Sequence, residues 1–532
     1  MNFLDYFIVA IYLAGMLGLG LMMRKQSSET SYFLGDKSLN WFPLALSTMA
    51  TQLSAISFIS APAFVGLREG GGLKWLTYEF AVPLAMIFVM FVIAPALYRA
   101  KVVSIYDFLE RRFGRSSRLL ISALFQIVRS FSTGIMVYAC AIVLQAVLGI
   151  PFWQSIVGVG VVALIYSTTG GMKAVVYSDA IQMVLIFGGI ILVAGFALHQ
   201  VGGFGAWFNA VEPARLFAVD FSSFGFGGDE FGFLPMLFGG FVLYVSYYGC
   251  DQTQTQRILS ARDMPAARRL LLANGLLRFP LVLIYCFAGL VVGVAVMQSP
   301  DLLAQIPADR PDFMMPVYIV EQLPHGLIGL LLVAIMAAAM SSFSSTMNSL
   351  AAVTLEDIRT LGLKFASPRL EIIGARALSV GWGLLIIVLS FFAGSIAPTV
   401  IEAINKVGSA LYGPILGVFG LAILTRNRSA VGVNAGLLVG LALNLYFWKF
   451  VPELFWMWWN LIGLLVTLVV AVLVGFFFPG RAAMEDAPAF AQEDRWNGTA
   501  ANRRSVGILA GYFGLIVAIS VALGTLAMGG EF

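Results

Sequence analysis

The sequence has little charge, histidine or cysteine. Asp, Glu, Lys and Arg make up 11% of its 532 residues, whereas a soluble domain has about 25%, so the chain cannot supply the polar shell of a soluble globular protein. It contains two histidines and no HExxH motif, which argues against a histidine-based metalloprotease. Its three cysteines lie inside apolar segments, which argues against a disulfide framework. Because no nucleophile and base set is recognisable, we predict that the protein is not an enzyme.

Long apolar segments make up most of the chain, in which 60% of the residues are hydrophobic. Residues 4–23 and 455–478 are two such segments, and each is close to the ~20 residues that a helix needs to cross a ~30 Å hydrocarbon core. They are too long for barrel strands. The sequence therefore predicts an all-α polytopic membrane protein with about fourteen transmembrane helices: 3–23, 42–66, 75–98, 119–148, 151–168, 175–198, 233–256, 270–297, 315–355, 371–393, 397–424, 429–448, 455–479 and 505–528.

Basic residues are distributed unevenly over the loops between these helices. The loops on one side hold 23 Lys and Arg residues, with Arg257 among them, and the loops on the other side hold five. Because cytosolic loops carry the excess of basic residues, we predict that both termini lie on the outer side. We expect an integral protein of the bacterial inner (plasma) membrane, surrounded by the lipid bilayer, with no nucleic-acid partner and no obligate protein partner.

Two of the predicted helices contain polar residues in mid-span. Residues 47–57 of the second helix hold a cluster of Ser, Thr and Gln, and residues 244–256 of the seventh hold Gly249, Asp251 and several amides. Polar breaks at corresponding positions of two halves are typical of transporters built from inverted repeats. The alternative is two ordinary helices with polar contacts to their neighbours, but the five-helix spacing between the breaks favours a transporter.

Several ionisable residues lie inside predicted spans, where such residues are costly and often functional. Glu402 and Lys406 are one helical turn apart, so their charges can neutralise each other, and we interpret them as structural. Arg129 could extend to the membrane interface or pair with an acid, and the sequence leaves its role open. The remaining candidates for chemistry are Glu79, Asp179, Asp251 and Arg278.

The ninth predicted helix has a dense cluster of hydroxyl groups. Four serines and a threonine fall within the six residues 341–346. Sodium is a hard cation that prefers hydroxyl and carbonyl oxygens, and helical register places Ala338, Ser341, Ser342 and Ser345 on one side. Small residues can also form a close packing face between helices, but so many hydroxyl groups exceed what packing requires. The cluster therefore predicts a sodium site.

Residues 338–349 (AAMSSFSSTMNS) resemble the sodium-site helix of the sodium/solute symporter family. This family includes bacterial sodium/galactose and sialic acid symporters and animal glucose, iodide, vitamin and monocarboxylate carriers. The resemblance extends from the first helix to about residue 425. Its further matches are YFLGDKSL (32–39), GGMKAVVYSD (170–179), GCDQTQTQRIL (249–259) and NKVGSALYG (405–413).

The resemblance implies a leucine-transporter-type fold, in which a five-plus-five inverted repeat follows one leading helix and precedes three trailing helices. It also implies secondary active transport, in which inward sodium flow drives uptake of a small polar solute by alternating access. A sodium-conducting channel and a transporter-like sensor are the alternatives from other classes. The implied domains are 1–41 (leading helix and cytosolic loop), 42–198 (first repeat), 199–232 (outer loop), 233–424 (second repeat) and 425–532 (trailing helices).

By position, the resemblance also implies two sodium sites. The first would use backbone carbonyls and two hydroxyls, those of Ala50, Leu53, Ala338, Ser341 and Ser342. The second would use a carboxylate and three hydroxyls, those of Asp179, Ser341, Ser344 and Ser345. Because the sequence has both sets of residues, we expect two Na+ ions per solute.

The same comparison implies a solute site near the broken helices. Glu79, Arg278 and Asp251 fall at or beside positions that contact the sugar in the galactose carrier. At two other positions the side chains differ from those of that carrier, since Gln52 replaces an asparagine and Ser57 a glutamine. A carboxylate and a guanidinium can together bind the hydroxyls of a polyol, so we favour a sugar as the solute.

An organic anion is the alternative solute. Arg278, or Arg129, could bind the carboxylate of a monocarboxylate, a sialic acid or a vitamin-like acid. The residues that we predict to bind the solute are Gln52, Ser57, Glu79, Asp251, Arg278 and Asn405.

Overall fold

The computed structural model describes residues 2–26, 28–228, 230–363, 365–392, 400–425, 429–480 and 500–527. These residues form helices joined by loops, and the only extended pairing among them is a single bridge between Leu39 and Ala261. The α-helices are α1 (Phe3–Met22), α2 (Glu29–Leu34), α3 (Trp41–Gln52), α4 (Ala55–Gly66), α5 (Ala81–Phe88), α6 (Ala94–Ala100), α7 (Ile105–Phe113), α8 (Arg115–Leu148), α9 (Phe152–Gln200), α10 (Phe204–Ala210), α11 (Pro213–Leu216), α12 (Phe233–Cys250), α13 (Gln252–Ser260), α14 (Met264–Met297), α15 (Pro300–Leu303), α16 (Met314–Gln322), α17 (Leu327–Thr360), α18 (Pro368–Ser390), α19 (Val400–Leu424), α20 (Ala430–Phe450), α21 (Met457–Phe477) and α22 (Ala500–Ala527).

Twelve of the described helices are long and apolar enough to cross a membrane, or thirteen if the bent pair α3 and α4 counts as one span. α9 has 49 residues, and at about 1.5 Å per residue it is much longer than one bilayer crossing requires. Gly171 interrupts it with φ 58° and ψ −155°, a conformation that favours glycine. This residue lies in the gap between the predicted spans 151–168 and 175–198. The count of fourteen spans stays a prediction.

The ninth predicted helix, 315–355, is wrong as a single element. Two helices, α16 and α17, cover it, and residues 323–326 separate them. Pro324 lacks a backbone N–H and disfavours helical geometry in the residue before it, and Gly326 has a φ of 86°. The serine cluster lies wholly in α17, where all side chains from Leu331 to Val353 are buried.

The third predicted helix, 75–98, is a continuous but irregular span. It begins with a 3₁₀ segment, Leu73–Phe80, and α5 and α6 are joined by a π-helical turn at Val89–Ile93. Glu79 lies in the 3₁₀ segment and is fully buried. Irregular turns of this kind are frequent at functional sites.

The two helices that we predict to be broken are broken in the structure. α3 and α4 are bent by 57° across residues 53–54, and the hydroxyl of Ser54 accepts the N–H of Ile56 at 3.3 Å. α12 and α13 meet at Asp251, whose carboxylate accepts the N–H of Thr253 at 2.7 Å. In each break a side-chain oxygen therefore caps the helix that follows and satisfies one of its free donors.

α17 packs against α9, α8 and α1, whereas α22 is the least buried of the spans. The boundaries of the five domains stay predictions. Most of residues 480–504, between the last two predicted spans, lies outside the described residues, and so does the beginning of the predicted span 397–424.

Candidate functional site

Residues of the α3–α4 break and of the last two turns of α12 face a common cavity of about 100 Å³, which we call the solute cavity. α8, α14 and the beginning of α19 complete its wall. Five tyrosines contribute side chains to it: Tyr78, Tyr244, Tyr247, Tyr285 and Tyr412. Four of the predicted solute-binding residues line this cavity directly: Gln52, Ser57, Arg278 and Asn405.

A buried ion pair lies beside the solute cavity. Arg278 donates through Nη2 and Nε to the two carboxylate oxygens of Glu79, at 2.9 and 3.1 Å. Its third nitrogen, Nη1, is buried and has no hydrogen-bond partner among the described residues. Gln52 is similar, because its Oε1 accepts the hydroxyl of Tyr248 at 2.8 Å while its Nε2 is buried and unpaired within the described part of the chain. Two residues of the wall therefore each keep one unused donor.

Arg129, whose role the sequence leaves open, pairs with an acid. Arg129 Nε lies 3.6 Å from Asp251 Oδ2, and the guanidinium donates to Thr253 Oγ1 at 3.1 Å and to the hydroxyl of Tyr247 at 3.2 Å. It also lies over the ring of Tyr247, 5.2 Å from the centroid, which is a cation–π contact. Arg129 lines the solute cavity, whereas Asp251 lines a smaller neighbouring one.

Asp179 is at the centre of the predicted sodium region. It is fully buried, and its Oδ1 accepts the hydroxyl of Ser341 at 2.7 Å. Its Oδ2 accepts the hydroxyls of Ser47 at 2.6 Å and Ser345 at 3.2 Å. The hydroxyl of Thr51 lies 3.5 Å from the same oxygen. The carboxylate thus joins α3, α9 and α17.

The other predicted sodium ligands lie on the same helices. The hydroxyl of Ser342 donates to the carbonyl of Thr51 at 3.4 Å, and the hydroxyl of Ser344 donates to the carbonyl of Ser341 at 3.1 Å. A hydroxyl can rotate and turn a lone pair to a cation. α3 ends here, so carbonyls of its last turn lie beyond the last intrahelical hydrogen bonds. The three residues with predicted carbonyl ligands are buried: Ala50, Leu53 and Ala338.

The placement of Arg257 in a cytosolic loop is wrong. Arg257 belongs to α13 and is 1% exposed, and its Nη2 lies 2.9 Å from Asp179 Oδ2. The guanidinium also donates to the hydroxyls of Ser47, at 2.8 Å, and Ser345, and to the carbonyl of Thr253. A basic residue at the end of a predicted span counts as a loop residue in a charge tally, because only the fold shows that α13 remains inside the helix bundle.

Two hydroxyl residues of this region, Ser47 and Thr51, are missing from the predicted ligand sets. Both belong to the polar cluster 47–57, which is the signal that could have found them. The cluster has no internal feature that tells which of its hydroxyls face Asp179, because that depends on how α3 packs against α9.

Comparison with known families decides what kind of protein holds these sites. The profile described as "Sodium:solute symporter family" matches residues 32–440. The chain belongs to the sodium:solute symporter family. Sodium-coupled transport of a small solute, rather than enzymatic catalysis, is therefore its function class, as the serine cluster and the broken helices predict.

Relatives of this symporter are named for different solutes. The sodium/iodide cotransporter of Homo sapiens is 31% identical over 83% of this chain and 69% of its own length. A sodium-dependent multivitamin transporter of Oryctolagus cuniculus is 30% identical over 84% and 70%. Sodium-coupled monocarboxylate transporter 2 of Mus musculus is 29% identical over 84% and 71%.

Solved structures confirm the fold class of the symporter. A sodium-coupled sialic acid symporter in a substrate-bound, outward-open state matches with a TM-score of 0.82 and 23% identity, over 91% of this chain and 100% of that one. Mhp1, a nucleobase-cation-symport-1 family transporter in a closed conformation, matches with a TM-score of 0.54 and 14% identity, over 87% and 97%. The predicted all-α fold of leucine-transporter type is therefore confirmed.

Proposed function

We propose that this symporter uses inward sodium flow to take up a small organic anion, which binds in the solute cavity and crosses by alternating access. The observation that carries the proposal is the pair of unused donors, Arg278 Nη1 and Gln52 Nε2, in the wall of that cavity. A carboxylate offers acceptors only and binds well to a guanidinium. An anion can therefore satisfy both donors without breaking an existing contact.

The two carboxylates near the solute cavity already have partners. Both carboxylate oxygens of Glu79 accept from Arg278. Asp251 accepts the N–H of Thr253 and pairs with Arg129. A sugar needs acceptors for its hydroxyl hydrogens as well as donors for its oxygens, so we place the organic anion ahead of the sugar that the residue comparison favours.

The relatives support the same class of solute. Two of those described above are named for anions, iodide and monocarboxylates.

For the ions we propose the two sites implied by the family resemblance. Ser341 and Ser342 contribute hydroxyls to the first, with the carbonyls of Ala50, Leu53 and Ala338, and the second is built on Asp179 with Ser341, Ser344 and Ser345. The convergence of hydroxyls on Asp179 supports the second site. Each Na+ that moves inward through 100 mV releases about 2.3 kcal/mol, and coupling requires that ion and solute favour the same conformation. The outward position of both termini and the host membrane stay predictions.

The proposal is tested by uptake into proteoliposomes with an imposed sodium gradient. The purified protein is offered propionate, lactate, iodide and glucose, and we expect sodium-driven uptake of a monocarboxylate. Sodium-driven uptake of glucose alone would overturn the choice of solute class.

The same liposomes test the first sodium site. Changing both Ser341 and Ser342 to alanine should abolish sodium-driven uptake, because it removes two oxygen ligands. Ser349→Ala, which alters a buried serine further along α17, is the matched control and should retain uptake. Unchanged uptake and sodium affinity in the double variant would refute the assignment of this site.

A further inference from the structure

A second cavity, of about 40 Å³, follows the solute cavity along the same helices. On α8 the solute cavity contacts Arg129 and Met136, whereas the second cavity contacts residues 124–132, which lie toward α7. Tyr106 of α7 lines the second cavity as well. On α12 and the residue that follows it, the lining residues move from 243–247 at the solute cavity to 246–251 at the second cavity. On α19 they move from 401–412 to 404–415. The second cavity is therefore displaced from the solute cavity along all three helices.

Three residues form the boundary between the two cavities, because they line both: Arg129, Ile404 and Tyr412. Of these, only Arg129 carries a charge. Its distance to Asp251, 3.6 Å, is too long for a strong hydrogen bond, so the guanidinium can donate to a second carboxylate while Asp251 stays beside it.

The second cavity also has an unused polar group. Ser246 is 1% exposed, and its hydroxyl has no hydrogen-bond partner among the described residues. A buried hydroxyl without a partner is unfavourable, and this cost is relieved if the group meets a polar ligand during part of the transport cycle. The rest of the wall is partly apolar, and it also contains the carboxylate of Asp251, which is paired with Arg129, and three more hydroxyl residues: Tyr106, Ser132 and Tyr412.

We propose that the second cavity is a transit site through which the anion leaves the solute cavity toward α7, the side that the loop charges place in the cytosol. Arg129 binds the carboxylate of the solute as it passes from one cavity to the other. In the second cavity the hydroxyl of Ser246 donates a hydrogen bond to this carboxylate. The proposal rests on the proposed function, since it assumes an anionic solute. It assigns to Arg129 a role in release, beyond its pairing with Asp251.

The test uses the native thiol of Cys250, which lines the second cavity. The full-length protein in sodium-free inside-out vesicles is treated with a negatively charged methanethiosulfonate reagent, and modification of each cysteine is followed by peptide mass spectrometry. Because thiol reactivity depends on access, we expect Cys250 to react at least about tenfold faster than Cys140 and Cys286. These two are buried and line neither of the two cavities.

Two comparisons show whether the route selects anions. A positively charged reagent of the same size should modify Cys250 more slowly, and Arg129→Gln should remove this difference. Ser246→Val, which fills part of the second cavity, should slow the negatively charged reagent at Cys250. Ser155→Val is the matched control and should leave the rate unchanged, because Ser155 is also buried, has a hydroxyl without a partner in the described part of the chain, and lines neither cavity.

The transit site is overturned if Cys250 reacts no faster than the other two cysteines, or if reagents of either charge react equally fast. This result is independent of the uptake assay, because no solute is present. A symporter that carries glucose rather than a monocarboxylate would contradict the proposed function in the liposomes, whatever the cysteine rates are.

Discussion

Two of the symporter's buried arginine–carboxylate pairs use their hydrogen-bonding groups differently. Beside the solute cavity, Arg278 donates hydrogen bonds to both oxygens of Glu79, and its Nη1 has no partner among the described residues. In the sodium region, Arg257 contacts Asp179 once and distributes its other donors over two serine hydroxyls and a backbone carbonyl. The first arginine therefore has one nitrogen without a partner among the described residues, whereas every guanidinium nitrogen of the second has a partner.

This difference bears on how each region receives its ligand. A solute anion can add to Arg278 without displacing anything. A cation can approach Asp179 only if the donors around it turn away, and the three serine hydroxyls can rotate to offer lone pairs whereas a guanidinium has none. At the proposed sites, sodium binding would exchange hydrogen bonds for ion contacts, whereas solute binding would add contacts to donors that have no partner among the described residues.

The largest expected effect concerns Arg278. Arg278→Gln should lower sodium-driven uptake of a monocarboxylate by ~100-fold or more, because it removes a donor to the solute and leaves Glu79 without a counter-ion, a loss of about 3–5 kcal/mol for a buried pair. The initial uptake rate in proteoliposomes, at equal amounts of folded protein, is the measurement.

The double variant with Glu79→Gln and Arg278→Gln separates these two causes. It removes both charges, so its thermal stability should recover while uptake stays low. If uptake recovered too, Arg278 would serve only to neutralise Glu79, and the comparison between the two pairs would lose its functional meaning.

In the sodium region the expected effect is on stability, with a smaller effect on the response to sodium. Arg257→Gln should destabilise the protein by about 3–5 kcal/mol without sodium, because Asp179 loses its only ionic partner among the described residues. Added sodium should restore part of this loss, because a ligand that binds only the folded state stabilises it. The measurement is the thermal unfolding midpoint in sodium chloride and in choline chloride of equal ionic strength.

Arg278→Gln is the matched control for this experiment, since it breaks the other buried pair. It should show no greater response to sodium than the unaltered protein does. Equal sodium responses in the two variants would argue against a sodium ion at Asp179 and for a single ion per solute.

The smallest effect concerns Gln52. Gln52→Glu keeps the acceptor for Tyr248, changes the unused donor into an acceptor and adds a negative charge. It should raise the KM for a monocarboxylate about tenfold, which corresponds to about 1.4 kcal/mol. A lower KM for glucose in this variant would instead favour a polyol solute. Gln182→Glu, at a buried amide that lines neither cavity, controls for the added charge.

Several parts of the site could be predicted because the evidence for them is local. The serine cluster of α17 and the polar breaks at residues 53–54 and Asp251 are visible in short stretches of sequence. Hydroxyl and amide groups are costly to bury in an apolar span unless they have polar partners, so a cluster of them indicates a site. The pairing of Arg278 with Glu79 could not be read in this way. The two residues are far apart in the chain, and only the packing of α14 against the third span brings them to 2.9 Å.

The errors have a related cause. Arg257 follows the end of a predicted span and therefore resembles a loop residue. The ninth helix reads as continuous because the interruption at Pro324 is only four residues long. Both errors arise because a charge count and a hydropathy pattern depend only on the composition along the chain. Neither shows whether a polar segment is buried in the helix bundle. The preference for a sugar was based on which residue types are present. The sequence does not show that Arg278 donates hydrogen bonds to both oxygens of Glu79.

The sequence by itself determined that this protein is a helical membrane symporter that uses sodium, because segment length, polar breaks and the hydroxyl cluster are local properties that the bilayer and the ion constrain directly. The tertiary structure alone decided which donors remain free for a solute and which carboxylate receives a buried arginine. Those outcomes depend on distances between side chains on different helices, which are set when the helices pack together.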